Sequence, residues 1–269
     1  FMLKKIWTKV IYDQKLSLGF WNLGFIGISL LIMSMYPSIK LSGDALDQTI
    51  KSLPNEMVEL LYGGAVQSIT TPIGFLSMEL YSLIFPFGLI IYGVTNGINA
   101  IAGEEKNGTL ELLVTLPITR IQLAYEKYFS LVLGLLLIII PFSTFIIIFK
   151  GLFGLEFKPI LIIIAGIELF ALALCLSSIG FALATATGNK SMSIGITYSI
   201  TVFSYLWNGL AGLVQEIENT KSISFFYYYS GIKPSSTRID IVEFISISLF
   251  SVLIVSIAIF IFNRRDIRT

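Results

Sequence analysis

The chain has 269 residues, of which 55% are hydrophobic and only 13% are charged, and its mean hydropathy is +0.84. A soluble globular chain carries about 25% charged residues, so this chain has too little polar surface to face water alone and must have lipid as part of its solvent. A net charge of +1 excludes strong attraction to nucleic acid, and the lack of histidine, with a single cysteine, argues against a catalytic or metal centre.

Six apolar runs follow one another along the chain, each close to the roughly 20 residues that a helix needs to cross a bilayer. They are 17–36, 80–102, 121–149, 160–186, 192–214 and 241–262. These runs are continuous, whereas the strands of a membrane barrel alternate polar and apolar residues over about ten positions. The sequence therefore predicts an all-α, polytopic membrane protein whose six transmembrane helices form a single domain over 1–269.

Lysine and arginine are concentrated at the two ends of this set of runs, and their bias decides how a membrane protein is oriented. Lys4, Lys5, Lys9 and Lys15 precede the first run, and Arg264, Arg265 and Arg268 follow the last. Six spans place both termini on the same side, so we expect both in the cytoplasm. The 103–120 loop then lies inside, whereas the loops 37–79 and 215–240 lie outside.

In the first outer loop, Ser52 and Pro54 predict the start of a short surface helix.

The 103–120 loop between the second and third runs contains its own local signals. Asn107-Gly108 is a helix-ending signal, residues 109–116 have the spacing of a two-turn helix, and Pro117 ends that helix. Thr119 is then placed to cap the helix of the third span. A short helix at this position is either a plain amphipathic connector or a docking element for a cytoplasmic partner.

The amino-acid sequence of this loop resembles a family signature. Residues 103–120 read GEEKNGTLELLVTLPITR, and Lys127 follows. This string is similar to the one that type 2 ATP-binding cassette (ABC) exporter permeases carry in the same loop, with its Glu-Glu, Gly-Thr-Leu-Glu, Leu-Leu, Pro, Arg and Lys. Six spans, two inner termini and extra outer structure also resemble that family. Val114-Thr115 replaces a Leu-Ser-like pair, which is a mild departure.

The resemblance implies a coupling helix at 109–116 that seats in a separate ATPase subunit. The residues that it implies for this coupling are Glu104, Glu105, Gly108, Thr109, Leu110, Glu111, Leu113, Pro117 and Arg120. It also implies a complex of two ATPase copies with two permease copies, as a homodimer or a heterodimer, in the lipid of a cell membrane. Such complexes export peptides, antibiotics and other drugs, polysaccharides or lipids. The abundance of Ile, Lys, Phe, Tyr and Asn is typical of low-GC bacteria.

The chain itself is predicted not to hydrolyse ATP. An ATP-binding loop needs the pattern G-x-x-x-x-G-K-[ST], in which the lysine contacts the phosphates. Gly103 and Gly108 have the right spacing, but Thr109 stands where the lysine belongs. We therefore expect no cofactor in this chain, with ATP and Mg²⁺ bound by the partner ATPase.

Several polar side chains lie within the predicted spans, where a carboxylate costs about 2.5–3.5 kcal/mol on insertion scales. Candidates for a substrate pathway are Tyr92, Asn96, Glu168, Thr197, Tyr205 and Asn208. Each has a structural alternative: a buried, hydrogen-bonded carboxyl for Glu168, and ordinary hydrogen bonds between helices for the others. A lining of aromatic and hydroxyl groups favours a hydrophobic or amphipathic cargo over a small ion.

Two further patterns leave alternatives open. Gly93-x-x-x-Gly97 is a close-packing pattern that serves either a dimer contact or packing within one subunit. The aromatic run Phe225–Tyr229 is either an interfacial anchor belt or a short re-entrant hairpin that caps the outer mouth.

Two rival functions remain beside the exporter permease. An ion- or proton-coupled secondary transporter or channel is the first, but that class has several intramembrane charges and paired breaks in its helices, whereas Glu168 stands almost alone. A membrane-embedded enzyme is the second, and it needs a clustered acid, base or metal set.

Overall fold

The computed structural model describes residues 5–42, 48, 52, 68–110, 117–229, 231–232 and 239–265, and this part of the chain contains helices and no strand. We label the main helices α1 to α7 in chain order. They are α1 (Ile6–Asp13), α2 (Lys15–Leu41), α3 (Pro72–Lys106), α4 (Arg120–Phe153), α5 (Pro159–Thr187), α6 (Lys190–Leu213) and α7 (Ile241–Arg264). The predicted surface helix that starts near Ser52, and residues 111–116, lie outside the described residues.

Five of these helices are long and apolar enough to cross a membrane: α2, α3, α4, α5 and α7. The prediction of an all-α polytopic membrane protein is therefore confirmed. The predicted fifth span is α6, whose 24 residues reach about 36 Å at 1.5 Å per residue. It is long enough to cross, but its many serines, threonines and tyrosines make it less apolar than the other five.

Helix α3 is longer than its apolar run predicted. Thr71 caps it by accepting a hydrogen bond from the backbone N–H of Gly74 at 3.1 Å, and Pro72 fits the first helical position. Two wide π turns, Ser77–Tyr81 and Asn99–Gly103, interrupt the helix near its two ends. Each π turn rotates the residues that follow it relative to a regular α-helix.

Helix α5 is the centre of the bundle and the most buried of the five candidate spans. It packs against α3, α4, α6 and α7. Small residues permit this close approach: a β-carbon added at Gly93 would meet the Ser177 side chain, and one at Gly97 would lie 3.2 Å from the Ser177 carbonyl. The Gly93-x-x-x-Gly97 pattern therefore packs α3 against α5 within one subunit.

The N-terminal helix α1 was not expected from the sequence. Its first N–H, at Ile6, donates to the Glu126 carboxylate at 2.6 Å, and the Trp7 ring stands edge-on to Phe129 of α4 at 5.6 Å. Helix α4 begins where it was predicted to begin, since the Thr119 hydroxyl accepts a hydrogen bond from the Gln122 N–H at 3.1 Å.

Residues 215–229, here called the return segment, fold back along α6 as two short 3₁₀ helices, Gln215–Ile223 and Phe225–Tyr228. The Ser224 hydroxyl donates to the Ser204 carbonyl at 2.7 Å, well inside the α6 end at Leu213. The Tyr229 hydroxyl donates to the Tyr81 carbonyl of α3 at 2.8 Å. The segment therefore packs beside α6 and α3, and both the interfacial anchor belt and the re-entrant hairpin stay open for the aromatic run.

Candidate functional site

The Glu-Glu pair of the 103–120 loop sits at the end of α3, directly after the Asn99–Gly103 π turn. Gly108 closes this end with a left-handed backbone (φ 70°), as the Asn-Gly signal predicted. The Thr109 hydroxyl donates to the Glu104 carbonyl at 3.2 Å, which satisfies one of the carbonyls that a helix end leaves unpaired.

Glu104 forms an ion pair with Lys127 of α4. The Lys127 Nζ lies 2.5 Å from a carboxylate oxygen of Glu104, and the lysine side chain is 1% exposed while the glutamate side chain is 30% exposed. A lysine that is buried to this degree needs a counter-charge, because an isolated ammonium loses its hydration without compensation. The pair therefore fixes the end of α3 against the second turn of α4.

Glu105 binds Arg265, the residue that directly follows α7. Its two carboxylate oxygens accept hydrogen bonds from the Arg265 guanidinium at 3.1 and 2.5 Å, and its side chain is 4% exposed. The Arg120 guanidinium donates to the Arg265 carbonyl at 2.6 Å. Two parallel N–H···O bonds hold both the distance and the orientation of an arginine–carboxylate pair.

The end of α5 packs against the Glu105–Arg265 pair. Gly188 has φ +67°, and a β-carbon there would collide with the Arg265 guanidinium and lie 2.7 Å from the Glu105 carboxylate. The ends of α3, α5 and α7 and the start of α4 therefore meet around one buried pair.

Leu110 is the first apolar residue after Gly108, and it is fully buried. It belongs to an apolar cluster with Leu123 of α4, Phe181 of α5 and Phe262 of α7. Its side chain therefore packs within its own subunit and anchors the 103–120 loop, and its predicted role in coupling stays a prediction. Gly108, Thr109 and Pro117 remain exposed, whereas Glu111 and Leu113 lie outside the described residues.

The profile of the ABC-2 family transporter proteins matches residues 7–267 of this chain. The chain belongs to this family. It is therefore the membrane-spanning permease of an ABC transporter, a class of subunit that works with an ABC ATPase and has no ATPase site of its own. No curated protein and no solved structure matches the chain.

The structure separates five of the six candidate pathway residues of the permease into two groups, and Glu168 is described separately below. Tyr92 and Thr197 are 1% and 0% exposed and face the interior of the subunit. The Tyr92 hydroxyl donates to the Gln14 side chain at 3.2 Å, and its ring lies edge-on to Trp21 of α2. Thr197 packs beside Gly180 of α5. Both side chains are buried in one subunit, and their pathway role stays a prediction.

Asn96, Tyr205 and Asn208 are half-buried. The Tyr205 ring stands edge-on to Phe87 of α3 at 5.1 Å and to Phe226 of the return segment at 5.3 Å. Tyr205 therefore lies on the seam between α3 and α6, and the pathway role of all three residues stays a prediction.

A hydroxyl pair outside the six candidates lies on the same seam. The Thr95 and Tyr198 hydroxyls are 3.1 Å apart, and they join α3 to α6 at an exposed position. The signal available in the sequence was a run of hydroxyl residues along 197–205, without an indication of which one faces α3.

Glu168 lies on α5 and is half-buried, close enough to the return segment for its charge to act on Tyr229. Burial holds the pKa of Tyr229 well above its ordinary value, and the charges of Tyr81 and Glu168 add to that effect. Tyr229 is therefore a neutral hydrogen-bond donor at physiological pH. Among the described residues, no group of three or more His, Cys, Asp or Glu side chains could hold a metal ion.

Proposed function

We propose that this chain is the permease subunit of an ATP-driven exporter in a cell membrane, with both termini in the cytoplasm. A separate ABC ATPase docks on the 103–120 loop and supplies ATP and Mg²⁺. Two permease copies and two ATPase copies form the working complex. The cargo is hydrophobic or amphipathic, such as a peptide, a drug or a lipid.

The observation that carries the proposal is the fixed attachment of the 103–120 loop at both of its ends. Glu104 and Glu105 hold the α3 end by ion pairs, and Leu110 is buried beneath the bundle. Arg120 holds the α4 end through the Arg265 carbonyl. A partner that pushes on the exposed part of this loop would move the helices with it, whereas a floating connector would absorb the push.

The docking prediction is tested with Glu111→Arg combined with Leu113→Asp, two positions that the family signature assigns to the ATPase contact. We expect the tagged permease to lose ATPase capture when it is purified from its native membrane, because the pair reverses a charge and removes an apolar contact. The measurement is ATP hydrolysis by the purified complex.

Glu216→Arg is the matched control, since Glu216 is exposed on the return segment, which is predicted to lie on the other side of the membrane. It should retain ATPase capture. Equal ATPase capture by the loop variant and by wild type would contradict the prediction that the ATPase docks at Glu111 and Leu113. Uptake driven by a proton gradient in vesicles that contain the permease alone would favour the alternative, an ion- or proton-coupled transporter or channel.

An apolar cargo is compatible with two apolar grooves on the surface of the bundle. A groove of about 430 Å³ lies between α2 and α3 and is lined by Phe20, Trp21, Gly24, Phe25, Ile28, Ile84, Gly88 and Ile91. A second groove of about 310 Å³ lies between α4 and α5, and its polar lining is limited to Ser143 and Thr144 among the described residues. Neither groove offers a charge that would bind an ion.

Asn96→Asp tests the predicted cargo pathway on α3. The substitution adds a charge with almost no change in size and removes the amide donor that binds the Tyr92 carbonyl. A desolvated carboxylate there should lower transport of an apolar cargo about tenfold. ATPase capture should remain. The measurement is ATP-driven transport in vesicles that contain the complex.

Asn189→Asp makes the same chemical change at the start of α6. Asn189 is exposed and caps the helix through its side-chain oxygen, which aspartate also supplies. Transport should be normal in this control. Normal transport by Asn96→Asp as well would remove Asn96 from the pathway.

A further inference from the structure

Arg265 is the residue at which four helices meet. It follows α7 directly, its guanidinium holds Glu105 at the end of α3, and its carbonyl accepts from Arg120 at the start of α4. Gly188 at the end of α5 leaves the space that the guanidinium occupies. We call this set of contacts the Arg265 clamp.

We propose that Arg265 is a positioning residue that transmits the movement of the 103–120 loop to α7. This inference rests on the proposed docking of an ATPase on that loop. The loop is covalently continuous with α3 and α4, so a push on it moves these two helices directly. Helix α7 is far away in sequence and receives the push through the clamp.

The clamp is suited to this task because its bonds are directional. The apolar cluster around Leu110 and Phe262 also joins the loop to α7, but apolar contact has no preferred direction and permits sliding. The paired bonds between Arg265 and Glu105 fix the register of the two helix ends. Both side chains are largely buried, at 14% and 4% exposure, so water competes little for these bonds.

The end of α5 is shaped around the same pair. Gly188 adopts a left-handed backbone that glycine accepts at no steric cost, and any side chain there would displace the Arg265 guanidinium. The local geometry therefore preserves the Glu105–Arg265 bonds at a position where a capping asparagine would otherwise have been acceptable.

Arg265→Lys tests the inference, because it keeps the charge and removes the paired geometry. In the permease–ATPase complex reconstituted in vesicles, we expect ATPase capture and ATP hydrolysis to persist. The amount of cargo moved per ATP hydrolysed should fall about tenfold, within the usual range of coupling between sites. Glu105→Gln should reproduce this loss, because the amide offers one acceptor oxygen in place of two.

Arg264→Lys is the matched control one residue earlier. Arg264 is exposed and its guanidinium lies over the Phe260 ring at 4.3 Å, away from the clamp. This control should transport normally. If Arg265→Lys also transports a normal amount per ATP, the inference is wrong, even though the proposed function stands. If the unmodified complex shows no ATP-driven transport, the proposed function itself fails.

A distance measurement separates transmission from a merely structural role. Spin labels are placed at Asn263→Cys on α7 and Lys106→Cys at the end of α3, which are both exposed, while the native Cys175 is buried. With the clamp intact, ATP binding should leave the distance between the two labels unchanged, since the helix ends move together. In Glu105→Gln the distance should change on ATP binding. A constant distance in that variant would overturn the inference.

Discussion

Replacement of Glu104 by leucine is expected to destabilise the folded permease by about 3–5 kcal/mol, the usual cost of removing one partner of a buried ion pair. Lys127 is 1% exposed, so its ammonium would lose its counter-charge where water does not reach it. Lys127→Met should cost less, because the Glu104 side chain is 30% exposed and can be hydrated. The measurement is unfolding of the purified permease in detergent, by heat or denaturant.

The double variant Glu104→Leu with Lys127→Met should recover most of the loss. Buried ion pairs can often be replaced by apolar residues of similar volume with little change in stability. Lys106→Met is the control, since Lys106 is exposed on the same short helix. Equal losses from Glu104→Leu and Lys106→Met would show that the pair contributes nothing beyond a surface charge.

The helices of this permease were predictable because lipid imposes a length and a composition on any helix that crosses it. Local signals also predicted several helix ends correctly, such as the Thr119 cap of α4 and the Gly108 turn after α3. The additional length of α3 and the presence of α1 were missed. Both depend on polar contacts that hydropathy does not record, such as the Thr71 cap of α3 and the bond from the Ile6 N–H to Glu126.

The partners of the Glu-Glu pair could not be read from the sequence. Glu105 and Arg265 are 160 positions apart, so no local spacing connects them. In the sequence Arg265 was simply one of the basic residues that orient the last span. The resemblance to ABC exporter permeases assigned Glu104, Glu105 and Arg120 to coupling, and the contacts show that all three bind other parts of their own chain.

The pathway residues were harder to assign for a general reason. In a soluble helix, the polar face points to water, so the sequence shows which side is buried. In a membrane helix, lipid and protein interior are both apolar, and a polar side chain can face either the core or a pathway. Tyr92 turned out to face α2, whereas Thr95, three residues later, pairs with Tyr198 across the exposed seam.

Gly93→Val and Gly97→Val are expected to destabilise the permease by about 1–3 kcal/mol each, the typical cost of inserting methyl groups into a packed core. A β-carbon at Gly93 would overlap the Ser177 hydroxyl and lie 3.1 Å from the Ser177 β-carbon. That hydroxyl is bonded to the Ala173 carbonyl at 2.6 Å, so it cannot rotate away without losing its partner. Unfolding in detergent measures the loss.

Gly27→Val separates this packing effect from the general effect of valine in a helix. Gly27 lies in α2, is exposed, and would have nothing within 4 Å of an added β-carbon. Valine there has the same helix propensity as at Gly93 but meets no neighbour, so its stability should stay near wild type. The dimer alternative makes the opposite prediction. If Gly93→Val separated two permease copies and left the unfolding of each copy unchanged, the contact between α3 and α5 would not be the reason for this glycine.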